Sequence, residues 1–283
     1  MNLTVIFESA ELQFKQILED FFISLYNEKS LVSHGIDHHR RVWKYAKEIT
    51  LFLATHDLIR DPAIPFNLII ACYLHDIGMS VDTGVRHGRQ SRELCVRFLK
   101  ENNLKESDYD DVLLAVEYHD DKEFPISAGN YDLQTILSTA DDLDAFGFTG
   151  IYRYVEIYLV RDINMKEIGH RILENVTKRF DNFENLLGFS DDIFQKHKKR
   201  YSILIDFFGK YNHQVLSYQS GVSDPSGYCG TVEILNDVLQ EKITLDSLCR
   251  EPEKYSNDKV IIWFINGLAS ELFIEHKVLY LHR

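Results

Sequence analysis

The sequence predicts an all-α protein, and three observations carry that expectation. Helix breakers are scarce, with 5 prolines and 14 glycines spread over 283 residues. Apolar residues recur at helical spacing through long stretches. No segment alternates apolar and polar residues with the β-branched enrichment that a strand needs. Hydrophobic residues make up 45% of the chain, enough at this length for a continuous core and against intrinsic disorder.

The elements follow in order. Phe7, Leu12, Phe14, Ile17, Leu18, Phe21, Phe22 and Leu25 mark an amphipathic first helix, closed by a short polar stretch at 27–30. Val42, Tyr45, Ala46, Ile49 and Leu53 form the stripe of a second. Asp61-Pro62 and Pro65 punctuate the chain before a third, FNLIIACYLHDIG, which Gly78 stops. After a Ser-, Asp-, Thr- and Gly-containing loop (MSVDTGVRHG), helices are expected at 90–100, 108–118 and 132–146. Gly147 and Gly150 break the chain, and further helices fit 152–161, 166–187 and 191–217. Residues 218–230 turn polar and glycine-rich, a loop or boundary, before helical patterns at 232–240 and 258–277. There is no internal repeat. The organisation expected is a helical domain over 1–217 and a C-terminal helical extension over 218–283, packed on the same core or against a partner.

Lys and Arg number 31 against 44 Asp and Glu, a formal net charge of −13. Such a surface repels a polyanion at long range and argues against extended DNA or RNA, while a local cationic cluster can still accept a small phosphorylated molecule. The four cysteines (Cys72, Cys95, Cys229 and Cys249) lack C-x-x-C spacing, and reduced thiols in a cytoplasm are the plain expectation. The N-terminus has no basic region followed by an apolar run. The most apolar late segment, 260–274, is interrupted by Asn266, Gly267, Ser270 and Glu271, so no membrane span is expected. Homo-oligomerisation is left open.

Among twelve histidines, one alone would mean little; the arrangement carries the chemistry. His38 sits near the start of the second helix. His75 and Asp76 are adjacent at the C-terminal end of an apolar helix. Asp141 lies within LSTADDLDAFG on another helix whose neighbours are apolar. A carboxylate buried behind LIIACYL needs a partner, and it stands at the negative end of a helix dipole, where a cation is favoured. A divalent metal resolves both problems. Mixed imidazole and carboxylate ligation suits Mn, Fe, Co, Ni or Zn rather than a calcium cage. Such an ion acidifies water and polarises a phosphoryl oxygen.

The segments DHHRRVW, LHDIG, HGRQSREL, EYHD and ADDLDAFG resemble, in order, the successive motifs of the HD superfamily of metal-dependent phosphohydrolases, over residues 33–147. The resemblance implies an HD-domain helical bundle with additional C-terminal helices. It implies His38, His75, Asp76 and Asp141 as ligands of one ion, with His34 and His39 left as neighbours. Asp142 and Asp144 are expected on the helix surface or in support of the ligands. His87 and His119 extend the site, completing a second ion's ligand set with Asp76 as the bridge, so one or two ions are expected. Beyond Gly147 the likeness to small bacterial HD hydrolases of uncertain substrate runs to residue 215.

The implied activity is hydrolysis of a nucleotide or other small phosphate ester by metal-activated water, with Asp76, His75 and Asp141 at the catalytic centre. Arg41, Arg86, Arg89, Arg92 and Lys122 are the candidate substrate contacts, and Asp37, Asp120 and Asp142 are candidates to orient ligating imidazoles. Gly78-Met79-Ser80 stands where guanosine alarmone hydrolases carry Glu-Asp. Met79 also replaces the lysine of cyclic-di-guanylate phosphodiesterases, whose Gly-Tyr-Pro motif is absent. No substrate is therefore named. The alternatives are a mixed-valence di-iron oxygenase of the HD type and a non-catalytic nucleotide-binding sensor.

Overall fold

Burial follows the helical stripes. The first helix buries Phe7, Ala10, Phe14, Leu18, Phe21 and Phe22, the spacing of one face of a 3.6-residue turn. The computed structural model describes residues 2–26, 31–84, 86–120, 131–218 and 224–279, with side chains described through residue 272. Helices α1 (Leu3–Leu25), α2 (Ile36–Thr55), α3 (Ile64–Leu74), α4 (His87–Glu101), α5 (Asp110–Tyr118) and α6 (Leu133–Asp144) come first. They are followed by α7 (Gly147–Val160), α8 (Met165–Leu187), α9 (Asp191–Gln214), α10 (Gly227–Leu239), α11 (Leu245–Arg250) and α12 (Lys259–Leu279). No strand occurs among the described residues, and the all-α expectation holds.

The chain divides into two compact units. One comprises Met1–Asp144 with Asp181–Phe189, the other Ala145–Phe180 with Ser190–Arg283. In the first unit α3 is the central helix. Leu68, Ile69, Ile70, Ala71, Cys72, Tyr73 and Leu74 are all buried, and α1, α2, α4, α5 and α6 all contact it. A helix apolar on every side is stable only when surrounded, and here its C-terminal end brings His75 and Asp76 into the interior.

In the second unit α10 packs on α7 and α9, and α12 packs on α7 and α10. Phe207, Phe208, Tyr211 and Phe264 are fully buried there. The break expected at 217/218 therefore falls inside this unit, because α10 and α12 share its core with α7 and α9.

Two helix starts differ from expectation for the same reason. The glycine-rich stretch expected to run as a loop through Gly230 already turns helical at Gly227. The amide oxygen of Gln214, from α9, accepts from the backbone nitrogens of Tyr228 and Cys229. At Gly147, φ is +74°, and the helix begins there rather than at residue 152. The Glu271 carboxylate from α12 accepts from the Thr149 backbone nitrogen at 2.7 Å. Both caps come from residues distant in sequence and satisfy amides that a local reading leaves open. The short helix α11, N-capped by the Thr244 hydroxyl, was not expected.

Candidate metal centre

The site lies within the first unit. α3 ends at Leu74, His75 caps it, and Asp76 begins the turn into a 3-10 segment, Ile77–Ser80. Gly78 is required at that turn: a Cβ would collide with the His87 carbonyl oxygen and the Ser91 nitrogen. The Gly78 nitrogen donates to the buried Ser91 hydroxyl at 2.8 Å, which ties the turn to α4. Gly88 permits a similar close approach of α4 to the Glu117 carbonyl on α5. His87, on α4, and His119, at the end of α5, are thereby brought over Asp76.

Two buried groups of side chains have donor atoms close enough to hold a metal ion: His38, His75, Asp76 and Asp141, and Asp76, His87 and His119. Asp76 belongs to both, and its two oxygens are divided between them. Oδ2 faces His38 Nε2 at 3.3 Å and His75 Nε2 at 3.5 Å. Oδ1 faces His119 Nε2 at 3.0 Å and His87 Nε2 at 3.5 Å. Asp141 Oδ1 lies 3.7 Å from His38 Nε2 and 3.9 Å from His75 Nε2.

Each imidazole is held by its other nitrogen. Nδ1 of His75, His87 and His119 lies 2.8–2.9 Å from the backbone carbonyl oxygen three residues earlier, of Cys72, Gly84 and Val116 respectively. A carbonyl only accepts, so the ring proton sits on Nδ1 and donates to it, leaving the Nε2 lone pair toward the centre. Nδ1 of His38 donates instead to Asp144 Oδ2 at 2.8 Å. Asp144, fully buried, is gripped in turn by Arg41, whose Nε and Nη2 donate to its two oxygens at 2.7 and 3.0 Å.

The donor set fits a cation. His38 Nε2 and His75 Nε2 approach to 3.1 Å with both rings anchored through Nδ1. Two lone pairs that close repel unless a proton or a metal lies between them. Ligands bonded to one ion at about 2.1 Å stand roughly 3.0–3.4 Å apart, near the spacings found here.

The electrostatics agree. Burial opposes charge on both members of the doublet. His75 is nonetheless raised to about 10, because the neighbouring carboxylates of Asp76 and Asp141 outweigh burial. Asp76 is held well below the usual carboxylate range, chiefly by the charge of His75 beside it. In the metal-free cluster a proton does the work of a cation.

Residues 35–145 match a family model described as HD domain. That stretch of the chain is similar to an HD domain. The match spans the motifs from His38 to Asp144 and is consistent with the HD superfamily of metal-dependent phosphohydrolases. No curated protein and no solved structure matched the chain. The HD assignment and the buried His/Asp groups together support metal-dependent hydrolase chemistry in general.

Other residues singled out in the sequence fall into distinct places. His39 is buried outside both groups, with Nδ1 3.2 Å from the Cys72 carbonyl and its ring against Phe22. Arg41 faces Asp144. Arg86 and Arg89, largely exposed, pair with Asp82 and Glu93, and Arg92 pairs with Glu117. Lys122 lies outside the described residues. Of the aspartates expected to orient imidazoles, Asp37 is an exposed partner of Arg40. The residue that holds His38 is Asp144, which the sequence placed only among surface or supporting groups. Its spacing of three from Asp141 was the available signal, since residues three apart share a helix face.

Proposed function

We propose that this protein is a metal-dependent phosphohydrolase acting on a nucleotide or another small phosphate ester. The observation that carries the proposal is the division of Asp76 between two imidazole groups, one oxygen to each. His38, His75, Asp76 and Asp141 would hold one divalent ion, and Asp76, His87 and His119 a second. Mn, Fe, Co, Ni and Zn all suit such ligands. Ions bound there supply the Lewis-acid charge that acidifies water and polarises a phosphoryl oxygen.

The chain's own contribution is preorganisation. Backbone carbonyls and Asp144 fix each ring's proton on Nδ1, so no imidazole has to reorient when charge enters the centre. Burial of the ligands excludes bulk water and strengthens every interaction inside. Arg86 and Arg89 hold their carboxylate partners through solvent-exposed pairs worth little, which leaves them available to a phosphate beside His87. Arg92 is half-exposed against Glu117 and is a further candidate. Arg41 acts through Asp144 rather than on substrate.

The test is a screen of purified protein against nucleotides and phosphate esters with each of these metals added. Metal-stimulated phosphate release that vanishes in Asp76→Ala supports the proposal; release persisting near wild type in that variant refutes it. The same complement of ligands is compatible with a di-iron oxygenase. Two irons per chain with oxygen-dependent turnover and no phosphate release would establish that chemistry instead.

A further inference from the structure

Two histidines share one acceptor at the end of α3. Cys72 stands in the last turn of that helix, where carbonyls run out of intrahelical donors. Its oxygen lies 2.9 Å from Nδ1 of His75 and 3.2 Å from Nδ1 of His39, which belongs to neither ligand group. A carbonyl oxygen carries two lone pairs and only accepts, so both rings donate to it from Nδ1. His39 directly follows His38 on α2. Its ring centroid stands 5.1 Å from that of His38 and 5.1 Å from that of His75.

Stability does not account for a histidine at this position. His39 is fully buried, its ring edge-on to Phe22, and its Nε2 is buried without a hydrogen-bond partner. Such an atom costs free energy that a leucine of similar volume would not. The packing of α2 on α3 also has a polar tie of its own. Arg40 donates from Nε and Nη2 to the Glu19 carboxylate of α1 at 3.0 and 2.6 Å, and the Tyr73 hydroxyl donates to the same carboxylate at 3.1 Å. A polar atom left unpaired in the interior, on a residue beside the centre, marks a role other than holding the fold.

We infer that His39 is a positioning residue of the metal centre, its Nδ1–H fixing the Cys72 carbonyl that in turn orients the His75 imidazole. Through that one oxygen, the stretch of α2 that carries His38 and the ring of His75 are referred to the same point, which sets the 3.1 Å approach of their Nε2 atoms. Without the His39 donor the carbonyl can tilt at the helix end, and His75 Nε2 moves with it. A metal site registers displacements of a few tenths of an ångström in a ligand atom. The effect falls on one ion, because His75 groups with His38, Asp76 and Asp141 and not with His87 and His119.

The inference rests on the metal binding in the proposed function, and the experiment separates the two. Metal-free wild type, His39→Leu and His39→Asn are titrated with Co(II), followed by visible absorbance, and their melting temperatures are recorded without metal. Leu removes the donor and fills the space. The Asn amide nitrogen stands close to the position of the imidazole Nδ1 and restores the donor. His39→Leu should melt at or above the wild-type temperature, yet one Co(II) binding step should weaken about 10-fold while the other stays at the wild-type level. That is the low end for loss of a group that orients a ligand, because His39 acts through a carbonyl. His39→Asn should lie closer to wild type in the weakened step. Wild-type affinity in both steps for His39→Leu would overturn the inference, as would equal weakening of both. A melting temperature below wild type in that variant would make the role one of stability and overturn it too. So would an Asn variant that binds no more tightly than Leu. If wild type took up no Co(II) at all, the metal-binding reading itself would fall, and this inference with it.

Discussion

Asp144→Asn isolates the role of the Arg41–Asp144–His38 chain. The substitution conserves volume, so it opens no cavity, but it removes the negative charge that Arg41 grips through both carboxylate oxygens and that His38 Nδ1 contacts at 2.8 Å. Asp144 is fully buried and the Arg41 side chain is 14% exposed, so the guanidinium is left without its counter-ion in a poorly solvated place. Removing one partner of a buried pair costs about 3–5 kcal/mol. For a protein of this size that lowers the melting temperature by roughly 6–20 °C. Separately, an imidazole that loses its orienting carboxylate binds metal about 10- to 100-fold more weakly.

The double variant Arg41→Met with Asp144→Leu separates these effects. Apolar replacement of a whole buried pair is often neutral, so stability should return to within about 1–2 kcal/mol of wild type. Metal affinity should stay low, because His38 still lacks its acceptor. Urea denaturation of the metal-free forms and titration with Mn or Zn measure the two quantities. Wild-type metal affinity in Asp144→Asn, or full recovery of affinity in the double variant, would refute the assigned role.

Two further expectations concern protons. His75, raised to about 10 by Asp76 and Asp141 against the effect of burial, is protonated at pH 7.5 in the metal-free protein. Metal uptake must expel that proton, so calorimetry in buffers of different ionisation enthalpy should show roughly one proton released per His75 displaced, and zero net release would contradict the assignment. A folded value above the unfolded one of about 6.5 stabilises the metal-free fold most below that pH, and the contribution is lost as pH rises toward 10. His197, buried in the second unit, is lowered to about 2 by burial and by Arg200 and Lys196. Its unfolded form takes up a proton that the folded form refuses, so it should subtract stability by about 1.4 kcal/mol per pH unit as pH falls below about 6.5. His197→Gln should flatten that acid limb in denaturant titrations, and an unchanged slope would show that other groups set it.

The parts legible in the sequence were those written in local pattern. The stripes of α1, α2 and α3 gave helices and core, and an aspartate placed behind the apolar run of α3 signalled a buried charge needing compensation. The five ordered motifs placed His38, His75, Asp76, Asp141, His87 and His119, and these are the residues that converge. What stayed hidden depends on contacts between distant residues. The starts of α7 and α10 are capped by Glu271 and Gln214 from other helices. Arg41, three residues from a ligand, was equally consistent with a phosphate clamp and with an internal ion pair, and only the tertiary position of Asp144 separates them.

The most direct test of the central claim is the metal content of protein loaded to saturation and freed of excess ion, measured by elemental analysis for wild type, His119→Ala and Asp76→Ala. With Asp76 shared between two ligand groups, wild type should hold two ions per chain, His119→Ala one and Asp76→Ala none. Full occupancy in Asp76→Ala, or loss of both ions in His119→Ala, would contradict the shared carboxylate.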